Sequence, residues 1–178
     1  RAGLPDGMVA TALALETAPA MRDACDIARA GRRVHQIMLA CGPGGDAARA
    51  VGYQWSKDGE ETIYLRSKAV LDARAAGIPY PMTSSWWDIR DLDGLRKDAL
   101  RNRRIGMRGM CLMHPSHVPI VNEIFSPQEG EIAHARGLLA AMGAAEAEGN
   151  AAVIYDGDMV DYAMVTTAKE LLELAESV

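Results

Sequence analysis

Apolar side chains come in short runs separated by polar, glycine-rich breaks, and the runs alternate between two periods. Residues 8–15 (MVATALAL) form an apolar stretch of strand length that ends at Glu16. Residues 20–30 predict a helix closed by Gly31. The next strand is predicted over 35–41, and the turn-rich Gly42-Pro43-Gly44-Gly45-Asp46 follows it. Residues 60–76 place Ile63, Leu65, Val70 and Leu71 at helical spacing and stop at Gly77. A weaker strand is predicted over 78–83, because Pro79 and Pro81 remove two ladder donors. Residues 91–104 predict a polar-faced helix, and 109–114 predict a strand closed by His114. The pattern then changes. An alanine-rich helix is predicted over 127–148, a short strand over 152–155 and a last helix over 162–177, with Gly149 and Asn150 as a hinge.

Strand and helix alternating at this rhythm predict parallel βαβ units. In such folds the chemistry gathers where loops leave the carboxyl ends of the strands. Glu16 ends the first predicted strand, Asp46 lies just beyond the second, Asp88 follows the third and His114 closes the fourth, so all four are expected on one rim. Magnesium and similar hard cations take a few carboxylate oxygens and complete an octahedron with water and substrate oxygens. Glu16 and Asp46 could supply that pair; an acid at a strand end can equally cap the next helix or simply be solvated. His114 before Pro115 also reads as a strand terminator with a satisfied side chain, and no His-x-x-x-His or Cys/His grouping points to zinc. Gly42 to Gly45 lack the lysine and hydroxyl of a P-loop, and read as a tight turn that leaves room for substrate. Trp86 and Trp87, beside Asp88, could wall a substrate pocket or pack inside the protein. The basic residues from Arg96 to Arg108 read as a solvated face.

With 49% apolar and 24% charged residues, the 178-residue chain reads as a globular protein with a sizeable core. A formal net charge of −5 gives no general attraction to nucleic acid or anionic membrane. The longest apolar runs fall well short of a bilayer span, and no signal peptide is evident. Three widely spaced cysteines suggest neither a disulfide framework nor a CxxC metal site, so a cytoplasmic or other reducing compartment is expected.

Several segments carry a resemblance, in order along nearly the whole chain. They are Glu16-Thr17-Ala18, then Gly44-Gly45-Asp46 with Arg49 and Gly52, and Ala73-Arg74-Ala75-Ala76-Gly77-Ile78-Pro79. Asp88-Ile89-Arg90-Asp91 with Gly94-Leu95 follow, then His114-Pro115-Ser116 with Val118, Asn122, Phe125 and Pro127, and finally Asp156-Gly157-Asp158-Met159-Val160-Asp161. Together they resemble the citrate lyase β-subunit and malyl-CoA lyase family of the HpcH/HpaI aldolase superfamily.

The resemblance implies a TIM barrel, (β/α)8, of which residues 1–126 match the last four βα units, with 127–178 as a C-terminal helical lid extension. It places the family's metal ligands on Glu16 and Asp46, with Mg2+ as cofactor, and its catalytic carboxylate on Asp161, acting in a neighbouring subunit of a trimer or hexamer. Gly44, Gly45, Trp87, Asp88, His114 and Pro115 become candidates for the substrate pocket. Gly45 stands where the family usually has an acid, and the proline that commonly follows the lid aspartate is absent from Asp161-Tyr162-Ala163. The early strands, and the arginine they normally contribute, have no counterpart, and the chain opens at Arg1 rather than Met, so a longer gene product is expected. The implied activity is magnesium-dependent cleavage of a short 3-hydroxyacyl-CoA, such as malyl-CoA or citramalyl-CoA, to an acyl-CoA and a 2-oxo acid, or the reverse. Its substrates and partners would be the CoA thioester, the 2-oxo acid and further copies of the chain. Thioester hydrolysis and a non-catalytic, degenerate subunit are the alternatives.

Overall fold

The computed structural model describes residues 3, 5 and 7–177. By contact the chain divides into two compact units, Arg1–Phe125 and Ser126–Val178.

The first unit is built on four parallel strands, β1 (Thr11–Leu15), β2 (Val34–Leu39), β3 (Met82–Thr83) and β4 (Gly109–Met110). They pair in chain order, so every crossover steps the same way across the sheet, unlike a doubly wound fold in which the order reverses. The crossovers carry α1 (Ala18–Arg22), α2 (Ala24–Arg29), α3 (Asp46–Val51), α4 (Ile63–Ala75) and α5 (Leu92–Arg104), and α6 (Val118–Phe125) follows β4. Leu15, Ile37, Leu39 and Met107 are buried against Met21 and a series of alanines, Ala24, Ala28, Ala69 and Ala73. Those small side chains let the helices lie close on the sheet. A second cluster joins Trp86, Leu95, Ala99, Met110, Val121 and Ile124, with Trp55 tilted against Trp86 at 5.7 Å.

Several predicted elements change their bounds. The single helix expected over 20–30 is two short helices divided at Asp23, whose carboxylate receives the Arg22 guanidinium at 2.8 and 2.7 Å. The third and fourth strands have only two ladder residues each, although Arg108 N–H donates to Pro81 O at 2.8 Å and Cys111 N–H to Thr83 O at 3.0 Å on either side. His114 therefore does not close a strand: it lies beyond Met110 and begins the 3-10 turn Pro115–His117. Helix α5 turns part of its polar face inward. Arg66 donates to Asp98 Oδ1 at 2.7 Å, Asn102 Oδ1 at 3.1 Å and Thr62 Oγ1 at 2.9 Å, and Asn102 Nδ2 donates to Asp98 Oδ2 at 3.0 Å. All four side chains are buried, so the network satisfies polar atoms that water cannot reach. Of the basic residues expected to form a solvated face, Arg96 makes a two-point pair with Glu123 at 2.6 and 2.7 Å.

In the second unit, α7 (Glu129–Ala147) and α8 (Tyr162–Ser177) pack with a hairpin of β5 (Val153–Tyr155) and β6 (Asp158–Val160). A capping box between Gln128 and Glu131 starts α7. Asp156 at φ 53 and Gly157 at φ 91 are the two left-handed residues that a two-residue type I′ turn requires. Ala135, Leu138, Val160 and Ala168 form this unit's core. Among the described residues no helix is long and apolar enough to cross a membrane.

Candidate metal and substrate site

Strands β1 and β2 end level, with Leu15 opposite Leu39 and Ala40 N–H donating to Leu15 O at 3.3 Å. Glu16 therefore leaves β1 beside the point where the second chain segment turns toward Asp46. Its side chain is half-buried and makes no hydrogen bond or ion pair with another described residue. Thr17, not Glu16, caps α1, through Ala20 N–H donating to its Oγ1 at 3.3 Å. The capping alternative for Glu16 is thereby removed.

Asp46 is the first residue of α3, after Gly45 at the N-cap. Arg49 Nη2 donates to its Oδ1 at 2.9 Å, with both side chains largely in water, a pair too weakly held to compete strongly with a divalent cation. Gly44, at φ 63 behind Pro43, gives the left-handed second position that a type II turn needs. No three His, Cys, Asp or Glu side chains cluster as a ready metal cage among the described residues. A carboxylate at a strand end and another at the start of the helix after the next strand suit magnesium, which keeps waters and takes substrate oxygens, and do not suit a closed zinc site.

The adjacent tryptophans separate. Trp86 is 3% exposed and belongs to the core, whereas Trp87 is 49% exposed and lies on Gly42. Asp88 Oδ1 accepts from Arg90 N–H at 3.2 Å, and Lys57 Nζ stands 3.5 Å from Asp88 Oδ2. Lys57 also donates to Asp91, which caps α5 by accepting from Gly94 N–H at 2.9 Å. The Lys57 ammonium, and after it the Gly94 amide, hold the Asp91 carboxyl below the usual range. Nothing in the pattern around Lys57 marks it as the tie between these loops, because its partners lie some thirty residues away in sequence.

Beyond β4, His114 is exposed and Pro115 opens the 3-10 turn, while His114 Nδ1 accepts from Ser116 N–H at 3.2 Å. His117 is the buried histidine. One ring nitrogen, Nε2, is 3.3 Å from Ile89 O, and the other, Nδ1, has no hydrogen-bond partner. The signal that could have found it is its helical spacing to Val121 and Ile124, which puts all three on the buried face. Cys41, beside the Gly42 turn, is also buried, and burial pushes its thiol up to about 11.

Asp161 lies in the second unit. It follows Val160, which is buried, and caps α8, with Ala163 and Met164 N–H donating to its Oδ1 at 2.9 and 3.4 Å. Its Oδ2 makes no hydrogen bond to a described residue. Glu16 follows β1, Gly44, Gly45 and Asp46 follow β2, Trp87 and Asp88 follow β3, His114 and Pro115 lie past β4, and Asp161 stands on the other unit.

Residues 5–115 match the family model of the HpcH/HpaI aldolase/citrate lyase proteins. The chain is 30% identical over 181 residues to an L-malyl-CoA/beta-methylmalyl-CoA lyase of Cereibacter sphaeroides, covering 92% of this chain and 56% of that one. It is 29% identical over 175 residues to the citrate lyase subunit beta of Leuconostoc mesenteroides subsp. cremoris, covering 98% of this chain and 57% of the relative. Among solved structures, CitE from Mycobacterium tuberculosis in complex with magnesium, acetoacetate and coenzyme A superposes with a TM-score of 0.73 at 28% identity, over 94% of this chain and 61% of CitE. The chain thus spans a little over half the length of these relatives. With a parallel α/β sheet in chain order, Glu16 at the end of β1, Asp46 at the start of the helix that follows β2 and a family match over most of its length, the chain belongs to the HpcH/HpaI aldolase/citrate lyase family, on its citrate lyase β-subunit and malyl-CoA lyase branch.

Proposed function

We propose that the gene product carrying this chain is a magnesium-dependent carbon–carbon lyase. It cleaves a short 3-hydroxyacyl-CoA, such as malyl-CoA or citramalyl-CoA, to an acyl-CoA and a 2-oxo acid, or runs the reverse condensation. The observation that carries the reading is the Glu16 carboxylate, half-buried at a strand end and without a partner among the described residues, next to the strand that leads to Asp46. The magnesium, acetoacetate and coenzyme A bound by CitE support the same ligand classes here.

Glu16 and Asp46 would hold the cation by their oxygens. Bound magnesium supplies Lewis-acid polarisation of the substrate's carboxylate and adjacent hydroxyl or keto oxygen. On cleavage the hydroxyl gives its proton to water, its carbon becomes the carbonyl of the 2-oxo acid, and the electron pair of the broken bond passes to the acyl-CoA carbon, which takes up a proton. Asp161 Oδ2 delivers that proton, and removes it in the condensation direction, in the site of a neighbouring subunit. Gly44 and Gly45 leave room for the acid, and Trp87, Asp88, His114 and Pro115 border the substrate.

The four strands are read as the last four of an eight-stranded barrel; their parallel, chain-order pairing and the free outer edges of β1 and β4 support this. Sharing of the second unit between subunits is supported by its hairpin, where the cross-strand pair Ile154 and Met159 is 67% and 69% exposed. A reducing, cytoplasmic setting suits three free cysteines.

The test is to incubate the gene product with malyl-CoA, citramalyl-CoA and β-methylmalyl-CoA, with magnesium and with EDTA, and to identify both products. Magnesium-dependent formation of acyl-CoA together with glyoxylate or pyruvate is expected. Free CoA without a 2-oxo acid would replace the lyase by a thioesterase, and inactivity across the panel would contradict the reading.

A further inference from the structure

The turn between β2 and Asp46 has one fixed point. Gly42 is buried, and the atom that would replace its α-hydrogen in any other residue would lie 1.9 Å from Trp87 Nε1, 2.6 Å from Cε2 and 2.9 Å from Cδ1. The indole edge thus rests directly on the Gly42 backbone. Two polar contacts pin the same spot, with Cys41 N–H donating to Ser84 Oγ at 3.3 Å and Tyr53 O–H donating to Gly42 O at 3.4 Å. Beyond it the side-chain positions of Gly44 and Gly45 are open, with nothing within 4 Å, and the chain is next held where Arg49 N–H donates to Gly45 O at 3.1 Å and Ala47 is buried. Asp46 stands four residues after Gly42, at the first turn of α3, and how the turn enters that helix depends on how firmly Gly42 is held.

Trp87 is an unusual residue to find in that role, because it is half-exposed and its neighbour Trp86 supplies the core packing. A large apolar ring kept at a rim and seated on a glycine serves the glycine's loop rather than the core. We propose that Trp87 is a positioning residue for the metal site: its indole clamps Gly42 and so fixes where Asp46 offers its carboxylate. The inference rests on the reading of Glu16 and Asp46 as metal ligands, and adds a residue that acts through one of them.

The test measures Mn2+ binding to the gene product from the loss of the free-ion electron paramagnetic resonance signal, with no substrate present. Trp87→Ala is expected to weaken Mn2+ binding about tenfold, the scale at which residues that orient a metal ligand act, with the melting temperature close to that of the unchanged protein. Trp87→Phe, which keeps a ring on Gly42, recovers most of the affinity. Gly42→Ala, whose methyl displaces the indole, reproduces the loss with Trp87 still present. Unchanged Mn2+ affinity in folded Trp87→Ala, where Glu16→Gln does weaken it, would overturn the clamp alone. Failure of the unchanged protein to bind Mn2+ would overturn the metal reading and the clamp with it. Should Trp87→Ala fail to fold, equal affinities in Trp87→Phe, Gly42→Ala and the unchanged protein overturn the clamp.

Discussion

Asp161 uses its two carboxylate oxygens differently. One accepts the amides that begin α8, and the other is left open. Asparagine caps helices about as well as aspartate but cannot carry the proton, so Asp161→Asn separates the two uses. It is expected to abolish turnover while Mn2+ binding and the melting temperature stay as they were; turnover within a few-fold of normal would remove Asp161 from the chemistry. At this scale the sequence is readable where chemistry follows from place along the chain. The places of Glu16 and Asp46 in the fold are visible because a strand or a turn ends beside them. Lys57 and His117 are not visible in the same way. Lys57 takes its meaning from aspartates distant in sequence, and His117 from a helix face that two prolines, Pro115 and Pro119, conceal.

Elements were legible where a period of residues was long enough to declare itself. Helix α4 and the last helix stand close to their expected ranges, whereas α3, of six residues, gives too little pattern to read. Helix α6 is masked by Pro119, although proline in a first turn costs no hydrogen bond, since the amides there have no partner within the helix. Strand β6 was hidden for another reason: Asp156-Gly157 is a hairpin turn signal set inside a stretch read for its acids. Helices α4 and α5 are tied by the buried Arg66 and Asp98, only 4% and 5% exposed at their side chains. Removing one partner leaves a buried charge, so Arg66→Met should destabilise by roughly 3–5 kcal/mol, and the double change Arg66→Met with Asp98→Leu by much less. Denaturant titration of both checks this; equal losses would mean the pair is not the tie. The end of β2 carries a pH dependence. Burial raises the Cys41 thiol from its ordinary 9.0 to about 11, and burial also raises Tyr53. The folded chain keeps protons that the unfolded chain releases, so this contribution to stability is complete below about pH 9 and is lost as pH rises toward 11. The urea midpoint should fall between pH 8 and pH 10, and fall less in Cys41→Ala; identical falls in both would exclude the thiol as a source.

At the scale of the whole molecule, Glu16 follows the end of β1 and Asp46 begins the helix that follows β2, while Asp161 caps a helix of the second unit. The alternation of strands and helices made the α/β class readable from the chain, because parallel strands must be joined by crossovers. The exposed Ile154 and Met159 face, which supports the proposed sharing of the second unit between copies, was not readable from pattern, because it belongs to a surface rather than to any period. The central claim is that Glu16 and Asp46 hold the metal on which the chemistry depends. The most direct test is anomalous diffraction from crystals of the gene product grown with Mn2+. The account predicts an anomalous peak with an oxygen of Glu16 and an oxygen of Asp46 both within about 2.2 Å, near the length of a magnesium–oxygen bond. A peak bound by other side chains, or no peak at saturating Mn2+, would contradict it.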